Sequence, residues 1–193
     1  MTFPSRFEPR PHERMKTQPG DPSAYPDLAD ETPDPAKRRR AHRRPAKRSP
    51  DISSFSDVYR MEPLERIQMI ELGVRPEAFA SIAKAMRRSK ERLGQMMGLP
   101  VTTVDRKIQR GELLTSDQSE RVVSAAKLIG QIEAMVEESG DSEGFDAAMW
   151  FDEWVDKPLA ALGGRAPSEL MSTAEGRELL SRLLATAQSG AYV

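Results

Sequence analysis

This 193-residue sequence contains no cysteine. The absence of cysteine excludes a disulfide framework and a thiolate metal site, and it suits a reducing compartment. Both histidines, His12 and His42, lie in a proline-rich N-terminal segment, so the rest of the chain offers no histidine base. No apolar run approaches the roughly 18–20 residues that span a bilayer, and the first residues contain no apolar core of a signal peptide. We therefore expect a soluble, cytoplasmic protein without a membrane partner.

The sequence also lacks the residue patterns of common catalytic sites. It contains no Ser/His/Asp set, no phosphate-cradling glycine loop and no HExxH pair. Asp152, Glu153 and Asp156 form a carboxylate cluster that could do acid–base chemistry, or that could simply be a solvated acidic helix face. We favour the solvated face, and we expect no enzymatic activity, no cofactor and no metal site.

The formal net charge of −1 conceals a strong asymmetry along the chain. Residues 60–127 carry 13 basic and 9 acidic side chains, whereas residues 128–193 carry 4 basic and 12 acidic ones. A basic middle followed by an acidic end indicates that the chain meets two different partners.

The N-terminal segment holds 10 of the 15 prolines in its first 50 residues and few large apolar residues. Such a segment cannot bury enough surface to offset its ordering entropy, so we predict that residues 1–58 form a disordered basic tail. Eight of the twelve residues at 37–48, KRRRAHRRPAKR, are Lys or Arg. This run is either a solvated charge run or an arm that contacts the phosphates of a nucleic acid.

From residue 61 onwards the apolar residues recur at helical spacing. The first examples are three residues apart: Leu64, Ile67 and Ile70. The clearest buried face follows the spacing i, i+3, i+4, i+7: Phe79, Ile82, Ala83 and Met86. Thr115 and Gln118 form a capping box that predicts the start of a long helix reaching about Glu138. Because no stretch shows sustained alternation of β-branched residues, we predict an all-α chain.

Residues 89–110, SKERLGQMMGLPVTTVDRKIQR, have the spacing of a helix-turn-helix, with Gly98 in the turn. If Val101, Val104 and Ile108 are buried, the second helix displays a polar face: Thr102, Thr103, Arg106, Lys107, Gln109 and Arg110. On this basis we predict that bases are read by Thr102, Thr103 and Arg106, and that phosphates are held by Lys107 and Arg110. The alternative is an ordinary helical hairpin with a charged outer face, or a module used for dimerisation.

The C-terminal part carries a series of spaced residues that resembles the Xre/MbcA/ParS-type antitoxins. The series begins with Leu114, Ser119 and Arg121 in the predicted long helix and its approach. It continues with Ala147, Trp154, Val155, Pro158, Leu162, Gly164, Pro167, Leu170, Thr173, Gly176 and Gly190. The resemblance covers roughly residues 61–193, with Val155 where the family usually has Leu, and it leaves the basic tail outside the pattern.

This resemblance implies a type II antitoxin made of two parts. Residues 59–138 would form an Xre-like helix-turn-helix region, including the long connecting helix, that binds the promoter of its own operon. Residues 139–193 would form a small helical domain that blocks a RES-domain toxin, which is similar to ADP-ribosyltransferases and attacks NAD. The family also leads us to expect a homodimer or a hetero-oligomer with the toxin.

The expected toxin-binding residues lie along the C-terminal part: Trp154, Pro158, Gly163, Gly164, Arg165, Gly190, Ala191, Tyr192 and Val193. The aromatic residues Trp150, Phe151 and Trp154 are either core residues or interface anchors, and at helical spacing not all three can point inward. Ala191–Val193 would either fray or form a free arm that enters the toxin.

A second hypothesis of a different class stays open on the sequence alone. The chain would then be a stand-alone helix-turn-helix transcriptional regulator or a nucleoid-associated DNA-binding protein without a toxin. The product of the adjacent reading frame separates the two, because only an antitoxin has a neighbour that is lethal when expressed alone.

Overall fold

The computed structural model describes residues 52–140 and 143–188, and all regular structure in these residues is helical. The prediction of an all-α chain is therefore confirmed. Eight α-helices follow in order: α1 (Phe55–Arg60), α2 (Pro63–Leu72), α3 (Glu77–Ala85), α4 (Lys90–Met97), α5 (Val101–Arg110), α6 (Ser116–Ser139), α7 (Ala147–Val155) and α8 (Ala174–Gln188). Two short 3-10 helices, Ala160–Leu162 and Pro167–Leu170, lie between α7 and α8.

The helix ends follow the local signals in the sequence. Thr115 and Gln118 form the reciprocal capping box at the start of α6, with each side chain accepting from the other residue's backbone N–H. Gly98 and Gly111 end α4 and α5 in the left-handed conformation that glycine adopts without strain. At the start of α8, the Thr173 hydroxyl accepts from the Gly176 N–H at 3.1 Å.

The long helix α6 is the scaffold shared by the two predicted parts. Its buried residues include Leu128, Ile129 and Ile132, and α1, α2 and α3 pack on it together with α7 and α8. One continuous hydrophobic core results, which runs from Phe79 and Met97 on one side to Phe151 and Leu180 on the other. The two predicted parts therefore share a single core, and neither has an apolar interior of its own.

The predicted end of the disordered tail at residue 58 is wrong, because α1 begins at Phe55. Ser54 caps this helix, Val58 is only 2% exposed, and α1 lies directly against α6. A Cβ at Gly130 would lie 2.0 Å from the Phe55 carbonyl oxygen, so this close approach requires glycine. The predictions for residues 1–51, including the basic run at 37–48, lie outside the described residues.

Candidate functional site

The tight packing of α4 against α5 is produced by glycine at two positions. A Cβ at Gly94 would lie 2.6 Å from the Leu99 carbonyl oxygen, so the chain after the turn lies against the backbone of α4. Gly98 takes a φ of 63°, and the Leu99 N–H donates to the Gly94 carbonyl at 2.8 Å. Sequence reasoning noted Gly98 and missed Gly94, although a second glycine four residues before the first was the available signal.

The outer face of α5 is polar and partly cationic. Val104 is fully buried beneath this helix, while Thr102, Arg106 and Gln109 are exposed at the spacing i, i+4, i+7. The Arg106 guanidinium makes no hydrogen bond or ion pair with any residue that the structure describes. An unengaged guanidinium on an exposed helix is suited to bidentate contact with guanine or phosphate.

The remaining predicted DNA-binding residues differ in how accessible they are. Thr103 is half-buried, and Arg110 is exposed with a distant contact of 3.9 Å to the Glu112 carboxylate. The Lys107 side chain is only 14% exposed, and its Nζ donates to the Leu113 carbonyl at 2.7 Å. The structure therefore does not bring Lys107 to the exposed face with the others, because its ammonium holds the loop after α5.

Arg121 connects the turn between α4 and α5 to the C-terminal part. Its Nη1 donates to the carbonyls of Met97 at 3.0 Å, Gly98 at 3.3 Å and Ser172 at 3.1 Å. Asp117, one turn earlier on α6, pairs with the same guanidinium at 3.2 Å. A cation at the C-terminal end of α4 is also favourable to that helix's dipole. The arginine of the sequence pattern thus fixes the position of the turn.

Ser119, the other polar residue at the start of the series that resembles the antitoxin family, has a structural role. It is fully buried, and its hydroxyl accepts from the Val74 N–H at 3.0 Å. The Leu114 N–H donates to the Val74 carbonyl at 3.0 Å, so both backbone groups of Val74 are satisfied. These contacts hold the segment before α3 against the start of α6.

Two carboxylates of the cluster at the end of α7 form ion pairs with Arg88. The largely buried guanidinium of Arg88 lies between Asp152 and Asp156, at 2.5 Å and 2.7 Å. Burial alone would lower the Arg88 pKa, but the hydrogen bonds that its guanidinium donates to both carboxylates outweigh burial and raise it. Glu153 points elsewhere and lies 3.8 Å from Lys157. Asp152 and Asp156 are thus structural partners of the turn between α3 and α4. Asp156 lies on a solvated face as expected, whereas Asp152 is half-buried.

Arg177 on α8 makes a second ion pair between the two parts. Its side chain is 4% exposed, pairs with Glu120 of α6, and donates to the Met171 carbonyl at 2.7 Å. Its Nε is buried without a hydrogen-bond partner among the described residues. Burial lowers the pKa of Arg177 in spite of the Glu120 carboxylate. A buried guanidinium of this kind depends strongly on its one carboxylate.

The aromatic residues of α7 divide between the core and the surface. Phe151 is fully buried, whereas Trp150 is 39% exposed and stacks on Trp154 with ring centroids 5.8 Å apart. The two indoles line an apolar groove of about 530 Å³, hereafter the tryptophan groove. Residues of α6, of α8 and of the connecting segments complete it, among them Met135, Phe145, Leu159, Ala161, Leu183 and Ala187. None of the lining side chains is charged.

A tight chain reversal lies beside the tryptophan groove. Gly163 and Gly164 take φ values of 65° and 84°, and Leu159 and Arg165 pair through a 3.0 Å backbone hydrogen bond. Glu169 accepts from the Ala166 N–H and from Arg165, and these two contacts lower its pKa.

The structure thus groups several of the predicted toxin-binding residues. Trp154 lines the tryptophan groove, and the exposed residues of the neighbouring reversal are Pro158, Gly163, Gly164 and Arg165. The predicted arm residues Gly190–Val193 lie outside the described residues. Within residues 52–140 and 143–188, no helix is both long and apolar enough to cross a membrane, and no His, Cys, Asp and Glu side chains cluster as metal ligands.

Two family models match the chain, one for each part. The model of an antitoxin Xre-like helix-turn-helix domain matches residues 65–127. The model of an antitoxin Xre/MbcA/ParS C-terminal toxin-binding domain matches residues 145–190, a range that contains α7, the reversal and α8.

Two relatives of this chain are also named as antitoxins. A protein of a Sphingobium species named Prs ADP-ribosylating antitoxin is 40% identical over 139 residues, which cover 72% of this chain and 87% of that protein. The Antitoxin Xre of Pseudomonas putida is 26% identical over 86 residues, which cover 45% of this chain and 48% of that protein.

Proposed function

The chain belongs to the family of antitoxins that join an Xre-like helix-turn-helix domain to an Xre/MbcA/ParS C-terminal toxin-binding domain, and from this membership we propose two activities. In the cytoplasm it neutralises a RES-domain toxin that consumes NAD, and it represses its own operon by binding the promoter. The observation that carries this proposal is the presence of two surfaces of opposite character on one scaffold, a cationic face on α5 and an apolar groove beside α7.

The DNA half of the proposal is supported by the face of α5. Thr102, Arg106 and Gln109 form one exposed row at the spacing with which a recognition helix meets successive bases in the major groove. Arg110 lies at the end of the same helix, within reach of the backbone phosphates that would flank those bases. Half-sites on a promoter are read by pairs of such helices, so a homodimer, or a hetero-oligomer with the toxin, is part of the proposal.

The proposal that the chain neutralises a toxin that consumes NAD is supported by the name of the relative from Sphingobium. Its name refers to ADP-ribosylation, a reaction in which the bond between nicotinamide and ribose of NAD is broken. A site that binds NAD needs cationic groups for the pyrophosphate and an apolar slot for a base. We propose that Tyr192 and Val193 enter such a site as a plug, with the tyrosine ring in the apolar slot.

A stand-alone regulator remains the alternative function, but the match of residues 145–190 to a toxin-binding domain favours the antitoxin. The deciding experiment expresses the adjacent reading frame alone and together with this chain. We expect the neighbour alone to stop growth and deplete NAD, and co-expression to restore both. A harmless neighbour that does not bind this chain would support the stand-alone regulator.

The plug is tested separately by deleting residues 191–193. We expect the shortened chain to bind the toxin still and the resulting complex to consume NAD. If the shortened chain inhibits as well as the full chain, the plug is wrong and inhibition comes from covering the entrance to the toxin's active site.

A further inference from the structure

We propose that the tryptophan groove is the surface on which the toxin docks, and that it takes an apolar helix of the toxin whose flanks carry Lys and Arg. This inference rests on the proposed function. It adds that binding and inhibition are performed by different surfaces, since the groove holds the toxin while the C-terminal arm blocks its active site.

The tryptophan groove leaves apolar side chains exposed to solvent. All of its lining residues are apolar, and its rim includes the exposed aromatic rings of Phe145 and Trp150. Monomeric proteins seldom leave a contiguous apolar patch of this kind in water, and such patches mark protein interfaces. A concavity between helices that is lined by aromatic and aliphatic side chains matches the way in which an amphipathic helix is recognised.

The charges around the groove indicate the flanks of the partner. Glu153 is exposed on α7 between the two tryptophans in sequence, and Asp146 is exposed at the start of the same helix. Residues 128–193 as a whole carry 12 acidic and 4 basic side chains. Basic flanks on the partner therefore complement this surface and speed the encounter at low salt.

Other occupants fit the groove less well. A second copy of this chain would bring a surface of the same acidic character against the first. The basic run at 37–48 contains no large apolar side chain, so it cannot fill an apolar groove. The segment after α8 has only Tyr192 and Val193 to offer, and these are the residues proposed for the plug.

The test uses the full chain with arginine placed at exposed positions of the groove. Ala161→Arg and Ala187→Arg each introduce a bulky cation where the partner's apolar and basic residues would lie. The control is Leu179→Arg, because Leu179 is apolar, lies on α8, has the same 39% exposure as Trp150 and does not line the groove. Affinity for the purified toxin is measured by calorimetry, with DNA binding and thermal unfolding measured on the same variants.

We expect both groove variants to bind the toxin about 30-fold more weakly or worse, the size of losing a central interface contact, while Leu179→Arg binds normally. All three should keep wild-type DNA binding and thermal stability, which shows that the groove variants still fold. Normal toxin binding by both groove variants would overturn this inference alone. A wild-type chain that binds no toxin would overturn the proposed function and this inference together.

The occupant is identified with 5-fluorotryptophan, because both tryptophans of the chain line the groove. We expect the fluorine resonances of the free protein to be insensitive to its concentration and to deletion of residues 189–193, and to move when unlabelled toxin is added. A concentration-dependent shift would assign the groove to a second copy, and a shift on deletion would assign it to the chain's own C-terminus. Either result overturns the proposal, as does a complex that leaves both resonances unmoved.

Discussion

The helix-turn-helix part and the C-terminal part both place two helices beside a glycine-containing reversal, yet they expose opposite surfaces. In the first part, Gly94 lets the backbones approach so closely that the apolar side of α5 is covered and only polar groups face out. In the second part, the reversal at Gly163 and Gly164 leaves α7 and α8 on two sides of an open apolar groove. The difference teaches that covering the apolar side of a helix leaves a polar surface suited to DNA, whereas leaving it open gives a surface suited to an apolar partner.

The two surfaces are nevertheless mechanically joined. Both parts pack on α6, and three arginines cross between them: Arg88, Arg121 and Arg177. We therefore expect changes at the exposed surfaces to act on one partner only, and changes in the shared scaffold to act on both.

The largest effect on stability is expected from deleting residues 1–60, because this deletion removes α1, which packs on α6. Loss of the buried Val58 and of the half-buried side chains around it should lower the free energy of unfolding by about 4 kcal/mol. Binding of DNA and of toxin should fall together. The control is deletion of residues 1–51, which should leave unfolding in urea unchanged and weaken DNA binding mainly at low salt. Loss of only one activity in the longer deletion would mean that the parts are independent.

A smaller effect is expected from Glu120→Ala, which leaves the buried Arg177 without its carboxylate. The cost should be about 3 kcal/mol of unfolding free energy, as for other broken buried pairs. Hydrogen exchange should accelerate in α8 before it accelerates in α4 and α5. Glu178→Ala is the matched control, because its exposed pair with Arg182 should be worth only about 0.3–0.5 kcal/mol. Equal costs for the two substitutions would contradict the buried role of Arg177.

Arg106 and Lys107 are neighbours on α5 with different expected roles. Arg106 contacts DNA bases, whereas Lys107 stabilises the loop after the helix. Arg106→Ala should weaken specific DNA binding by about 1–3 kcal/mol and leave thermal stability unchanged. Lys107→Met should instead lower the unfolding free energy by about 1 kcal/mol through the lost bond to the Leu113 carbonyl, with little effect on DNA binding. If Lys107→Met weakens binding to all DNA sequences equally at unchanged stability, Lys107 contacts phosphate after all.

The smallest effect concerns Arg87, the one non-glycine residue in the described ranges with a positive φ, at 52°. Arg87→Gly relieves the left-handed conformation but adds freedom to the unfolded chain, so a net gain of about 0.5 kcal/mol is expected. Calorimetric unfolding measures this gain. Reduced DNA affinity in the same variant, with an unchanged toxin affinity, would add Arg87 to the DNA-facing surface.

Local signals in the sequence were sufficient for much of the fold. The capping box at Thr115 and the glycine stop at Gly98 were identified because a cap involves residues three or four apart. Helical spacing also identified α2, but Leu64 is 72% exposed, since periodicity predicts a helix without saying which side is covered. The helix α1 was missed because its short apolar face becomes evident only against Gly130, far along the chain.

The candidate site was less predictable for the same reason. Helical spacing predicted a polar face on α5 that includes the exposed residues Thr102, Arg106 and Gln109. The same prediction also placed Thr103 and Lys107 on that face, although both are half-buried. The roles of Arg88, Arg121 and Arg177 depend on partners that are distant in sequence, so a charged side chain that fastens two helices looks like any surface charge. The inward bond of Lys107 could not be separated from an outward one, because a long flexible side chain at the edge of a helix can turn either way.

The contacts of Arg121 have a consequence for how relatives of this chain can diverge. All three carbonyl oxygens that it binds belong to the backbone, so the half-buried side chain at Ser172 can change without weakening those bonds. The number of residues in the turn cannot change, because one inserted residue would carry a carbonyl away from the guanidinium. Substitutions should therefore be tolerated at exposed positions around this turn, but not at Gly94, Gly98 or the buried Met97, while insertions and deletions should be confined to other loops.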